Sequence, residues 1–177
     1  VYTAKDFSAA TQLDEHVGAV YDGTIRLPIV DKSGQVLNEA ELKRRLYHEY
    51  THVVVRHIVG DNAPWWLNEG LAETLSNELT PEDIVKLDEL YAQGKAFSLS
   101  AIEQHQLKVL SPESLGLAYV QSHATVNYLL KRFGQRSIIA MLDALAEGAK
   151  PEQALQQACR QSYALLEREV ARQYGVQ

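Results

Sequence analysis

Hydrophobic and polar positions change their period once along this chain, near Asn38. Before it, the stretch AVYDGTIRLPIV alternates and contains Asp22-Gly23, a pair suited to a two-residue hairpin turn. Strands are expected near Ala19–Tyr21 and Thr24–Ile29, with a β-prone start at Val1-Tyr2-Thr3 and a turn over Asp31–Gln35. After Asn38 the apolar residues recur at helical spacing. Leu42, Leu46, Val53 and Val54 mark a helix capped by Asn38, with Glu41 as capping-box partner and an end near Gly60.

Beyond the loop Gly60–Pro64 the pattern stays helical. A helix is expected over Leu67–Glu78, and another from Thr80-Pro81-Glu82-Asp83 to about Gly94, with a cap, a first-turn proline and acids at the positive end. FSLSAIEQ (Phe97–Gln104) reads as a short helical piece. Longer helices are expected at Glu113–Phe133, closed by Gly134, then at Ser137–Glu147, Pro151–Ala158 and Ser162–Tyr174. The pattern therefore predicts an α+β fold in one domain over 1–177. A small N-terminal β-containing part occupies about 1–60 and ends in a long helix, and a helical part occupies about 61–177.

Composition narrows the functional classes. The 177 residues are 46% hydrophobic and 23% charged, enough for a core without staples. A net charge of −6 with scattered basic residues argues against nucleic acid and against anionic membrane surfaces. No apolar run approaches the roughly 18 residues of a membrane span. Cys159, the single cysteine, excludes an intrachain disulfide and sits in a helical pattern that suits a buried thiol. Val1 reads as a trimmed end, left by a removed signal or by a longer chain with further domains.

The chemistry lies in RLYHEYTHVVV and WWLNEGLAE. His48 and His52 are four apart, so a helix presents both imidazoles on one face. Two imidazoles fill half of a zinc tetrahedron. Glu49 is rotated by about 100° from His48, away from the ligand face, where it can take a proton from a water on the metal's open side. By composition alone an H-E-x-x-H pattern arises here about 2% of the time, so a merely solvated face needs excluding by context. A catalytic zinc needs a third protein ligand. After sixteen intervening residues His52 is followed by Glu69, and four later by Glu73 on the same helical face. One can bind metal while the other takes a ring N–H. Spacing leaves open which does which.

His48-Glu49-x-x-His52 followed by Trp66-Leu67-Asn68-Glu69-Gly70 resembles the gluzincin zinc metallopeptidases. GAVYDGTIRLPI and AYVQSHATVNYLLKRFG resemble the small peptidase-MA-like, or minigluzincin, catalytic domains. The resemblance implies a zincin-like fold and one Zn²⁺ per chain held by His48, His52 and Glu69, with Glu73 orienting a ligand. It implies Glu49 as general base and later acid to the leaving amine. It implies Tyr119 as donor to the tetrahedral oxyanion, against the plainer reading of a core aromatic. The sixteen-residue gap is shorter than in the large aminopeptidases of the group, which implies a tighter loop.

His123, one turn after Tyr119, can face the same cleft or be an ordinary histidine. The strand with Ile25, Arg26 and Leu27 can take a substrate peptide as an added strand, or be an edge kept soluble by Arg26 and Pro28. His57 points away from the ligand face, His16 and His105 are expected at the surface, and Trp65 and Trp66 are expected to pack the loop on the core. The leading expectation is a zinc endopeptidase acting on peptides or proteins, exported because a small broad protease endangers a cytosol. Its alternatives are a catalytically silent zinc-binding or peptide-binding module on the same fold, and a helical domain without metal.

Overall fold

The computed structural model describes residues 20–21, 25–30, 33–103 and 110–175. Strands β1 (Val20–Tyr21) and β2 (Ile25–Arg26) pair antiparallel, Val20 opposite Arg26 and Tyr21 opposite Ile25. The Asp22-Gly23 turn between them, and the start at Val1–Thr3, lie outside the described residues. Val30 bridges to Val36, and Leu37 N–H donates to the Ile29 carbonyl at 2.8 Å, on either side of the expected turn, of which Asp31 and Lys32 lie outside the described residues. Gly34 has φ +82°, a conformation glycine adopts without the Cβ penalty.

Seven helices follow among the described residues. Helix α1 (Glu39–Val59) starts where Asn38 Oδ1 accepts the Glu41 N–H at 2.9 Å. The Glu41 carboxylate does not complete a capping box. Arg44 and Arg45 take it with bonds of 2.7–3.0 Å, because charge-assisted bonds on the helix surface outcompete one neutral N–H. Helix α2 (Trp65–Ser76) begins two residues earlier than the hydrophobic pattern suggests. Helix α3 (Pro81–Ala92) carries the full capping box of Thr80 and Asp83. Residues 98–102 form successive turns where a helical piece was expected: the Ser98 carbonyl takes both the Ala101 and Ile102 N–H, and the Leu99 carbonyl shares the Ile102 N–H; Gln104 lies outside the described residues. Helix α4 (Pro112–Phe133) is capped by Ser111, and α5 (Gln135–Ala146), α6 (Pro151–Cys159) and α7 (Tyr163–Tyr174) complete the order.

The described residues are thus mainly helical, and the two short strands are the sheet they contain. None of the helices among the described residues is long and apolar enough to cross a membrane. Helix α2 lies between α1 and α4, and β1 and β2 lie beside α1. Trp66, Leu67, Val126, Leu129, Met141, Leu155 and Leu166 are fully enclosed between the helices. Each such side chain contributes about 1.5–3 kcal/mol by leaving water. The contact of α2 with α4 is closest at Gly70, where an added Cβ would stand 2.5 Å from the Ser122 carbonyl oxygen and 2.5 Å from Val126 Cγ2. Glycine is therefore required there by space, and its neighbour Glu69 is carried up to α1.

Candidate metal centre

The helical period of α1 brings the His48 and His52 rings together, centroids 4.8 Å apart and nearly perpendicular. Glu69, one turn into α2, meets them from the facing helix. Its Oε2 lies 3.5 Å from His48 Nε2 and 3.4 Å from His52 Nε2. Ligands at about 2.0–2.1 Å around a tetrahedral zinc stand about 3.3–3.4 Å from one another, so these separations match edges of that tetrahedron. Among the described residues this is the group of three able to hold an ion. Glu73, one turn further along α2, places Oε1 3.4 Å from His48 Nδ1, on the far side of that ring. Ring orientation thus separates two glutamates that spacing did not: Glu69 faces both Nε2 atoms, Glu73 faces one Nδ1.

Asn68 was not singled out from the sequence. Its side chain favours the protonated form of His52, and both Asn68 Oδ1 and His52 Nδ1 are buried without a fully formed hydrogen bond. Its place immediately before Glu69 is the signal that could have found it. His48 and His52 thus each have a polar α2 neighbour, Glu73 for the first and Asn68 for the second.

The electrostatics favour an ionised ligand carboxylate. Burial pushes the Glu69 carboxyl up, but the His48 and His52 imidazoles together outweigh burial and hold it at about 2. Burial pushes His52 down, and Glu69, helped by Asn68 and Glu49, overrides this and raises it to about 9. A metal ligates the neutral ring, so a cation competes with that proton. Glu49 is 7% exposed. Burial raises its carboxyl above the usual range, against the pull of His52 and His48.

Tyr119 reaches the same neighbourhood from α4. Burial first, then the negative charges of Glu69, Glu73 and Glu49, push its hydroxyl well above the ordinary phenol range. It stays a proton donor beside three carboxylates. Trp65 packs edge-on against it at 5.0 Å. Trp65 and Trp66 are both buried, as expected for residues packing the loop on the core.

The structure does not bring His123 into this group. It is buried, its ring is pushed down by burial, and the charged neighbour acting on it is Asp83 at the start of α3. Being one turn from Tyr119 leaves it on the side of α4 that meets α3. Ile25, Arg26 and Leu27 are half-buried on and just after β2. His57 is exposed and away from the pair, whereas His16 and His105 lie outside the described residues. Cys159 is a buried free thiol, pushed up by burial.

A helix bearing H-E-x-x-H, met by a glutamate from the next helix, defines a metallopeptidase-like domain. The family model described as the peptidase MA superfamily matches residues 29–170, a span that holds both motifs and all seven helices but the end of α7. The chain belongs to the peptidase MA superfamily. No curated protein and no solved structure matches it.

Proposed function

We propose that this protein is a zinc-dependent metallopeptidase, most simply an endopeptidase, hydrolysing peptide bonds in peptides or proteins. The observation that carries the reading is the convergence of His48 Nε2, His52 Nε2 and Glu69 Oε2 at tetrahedral edge lengths. These three residues would hold one Zn²⁺, with Glu73 and Asn68 fixing the two rings. When bound, zinc acidifies a water and polarises the scissile carbonyl.

The chain's own groups do the rest. Glu49 accepts the proton of the attacking water and delivers it to the leaving amine nitrogen. Its buried carboxyl, raised above the ordinary range, is suited to both transfers. The Tyr119 hydroxyl donates to the oxygen on which negative charge grows as the carbonyl becomes tetrahedral. Ile25, Arg26 and Leu27 lie beside α1 and offer backbone groups to an extended substrate, which suits recognition tolerant of sequence.

The test is zinc content and peptide hydrolysis of the wild type beside Glu69→Ala, Glu73→Ala and Glu49→Gln. About one zinc per chain is expected in the wild type, lost in Glu69→Ala and bound roughly 10–100-fold more weakly in Glu73→Ala. Glu49→Gln should keep zinc and lose hydrolysis by about 10²–10⁴-fold. Zinc retained in Glu69→Ala but lost in Glu73→Ala would exchange their roles. Hydrolysis that survives Glu49→Gln would leave a zinc protein in which this glutamate is not the base. A wild type that neither binds zinc nor cleaves peptides would sink the proposal.

A further inference from the structure

Helix α2 carries Glu69 but has no side-chain cap of its own. It starts behind Pro64, which offers no side-chain acceptor. The first N–H groups of any helix lack intrahelical partners and must find them elsewhere. Here Trp65 N–H donates to the Glu103 carbonyl at 2.7 Å and Trp66 N–H to the Ile102 carbonyl at 3.2 Å. A turn segment, 98–103, therefore caps α2 from outside.

That segment is itself tied down from α7. The Tyr163 hydroxyl donates to Glu103 Oε1 at 2.7 Å and accepts from Trp66 Nε1 at 3.3 Å. Glu167 Oε1 accepts the Leu99 N–H at 2.7 Å. Tyr163 is buried and its ring stands edge-on to Trp66, centroids 6.0 Å apart. Burial, then the bond to Glu103, raises its hydroxyl far above the phenol range, so it remains the donor. Glu69 sits one turn inside this capped end, and Trp65 packs on Tyr119. Helix ends are where backbone structure opens most readily. A ligand so close to an end depends on what closes it.

We propose that Tyr163 and Glu103 are positioning residues of the metal centre: their hydrogen bond holds the 98–103 segment as an external cap on α2, and so fixes Glu69 against His48 and His52 and Trp65 against Tyr119. The proposal rests on the metallopeptidase reading, because it concerns how Glu69 is held. Neither residue touches the reacting atoms.

The experiment is zinc affinity, measured by competition with a chromophoric chelator on the whole chain. Its variants are Tyr163→Phe, Glu103→Ala and Glu103→Gln, each first checked for helical content. Leu155→Val, in the core on α6, serves as a variant that loosens packing away from the site. Tyr163→Phe removes only the hydroxyl and should weaken zinc binding about tenfold, the low end for groups that orient ligands, since it acts one step removed. Glu103→Ala should do the same, while Glu103→Gln keeps an acceptor oxygen and should restore affinity to near wild type. Leu155→Val should lower the melting temperature and leave zinc affinity alone.

Wild-type affinity in folded Tyr163→Phe overturns the proposal and leaves the metal reading standing. So does an equal loss in Leu155→Val, which would mean that affinity merely follows overall stability. If Tyr163→Phe does not fold, the Glu103→Ala and Glu103→Gln pair decides in the same way: equal affinities overturn the proposal. A wild type without zinc affinity removes the metal reading and this proposal together.

Discussion

Replacing Gly70 by alanine isolates one contact on which two helices of the candidate site depend. The added methyl would stand 2.5 Å from the Ser122 carbonyl oxygen, 3.0 Å from its carbon and 2.5 Å from Val126 Cγ2. Ordinary contact between carbon atoms is about 3.5–4.0 Å, so α2 and α4 must part by about 1 Å. The oxygen belongs to a helix backbone and Val126 is fully buried, so neither can swing aside. Overpacking of this kind costs about 1–3 kcal/mol, and an immovable partner places it at the upper end. Alanine's better helix propensity returns about 1 kcal/mol. The net loss is about 2 kcal/mol, or roughly 4–8 °C in melting temperature for a domain of this size. Gly116 provides the internal comparison, being exposed on α4 with nothing within 4 Å of an added Cβ. Gly116→Ala should gain about 0.5–1 kcal/mol from propensity alone. Denaturant unfolding of the metal-free protein measures both. A Gly70→Ala protein as stable as the wild type, beside a stabilised Gly116→Ala, would refute the close-packing argument.

Three further outcomes are expected. The Glu41 carboxyl is held at about 2 by Arg44, against the effect of burial and with help from Arg45. A carboxyl lowered on folding stabilises above its unfolded pKa, near 4.3, and loses that contribution as pH falls towards 2. The Glu41 side chain is 29% exposed and its pairs lie on the helix surface, where solvent screens them, so the contribution stays below about 1 kcal/mol, and acid titration of Glu41→Gln should show a correspondingly shallower loss of stability over that window. Tyr119→Phe should keep zinc while kcat falls about 10²–10³-fold, and a kcat within a few fold of wild type would return Tyr119 to a packing role. With free zinc at about 100 times Kd, binding adds about 2.7 kcal/mol, so a chelator should lower the wild-type melting temperature by roughly 5–10 °C and leave Glu69→Ala unmoved.

What could be read from the sequence was local. Asn38, Thr80 and Ser162 each cap the helix that they were expected to begin, because a cap is decided within four residues. The His48–His52 face follows from the helical period alone. The start of α2 did not follow, since its cap is backbone from 102–103 and no local signal encodes it. The turns at 98–102 resemble a helix in pattern, and at their end the Ile102 and Glu103 carbonyls serve α2, accepting the Trp66 and Trp65 N–H. Glu69 and Glu73 share a face one turn apart, so only the packing of α2 on α1 distinguishes them. His123 shows the converse limit. Its spacing from Tyr119 is helical, but α4 is flanked by several helices, and period does not say which one a residue meets.

Helix α2 gathers these dependencies. Within six residues Trp65 meets Tyr119, Trp66 meets Tyr163, Glu69 meets both imidazoles and Gly70 admits the α4 backbone. A packed helix in this place would be more stable with apolar side chains than with a buried carboxylate, since ions removed from water cost several kcal/mol unless well paired. Yet Glu69 and Glu49 are both buried and Glu73 stands behind His48. Three carboxylates thus share two imidazoles, and the Arg44 charge that reaches Glu73 is itself bound to Glu41. Burial raises the Glu49 carboxyl, and the three carboxylates outnumber the two imidazoles. A divalent cation between the Nε2 atoms and Glu69 Oε2 would offset that excess and satisfy the ligand directions together. Without a cation, the counter-charge within this cluster is the proton that Glu69 holds on His52.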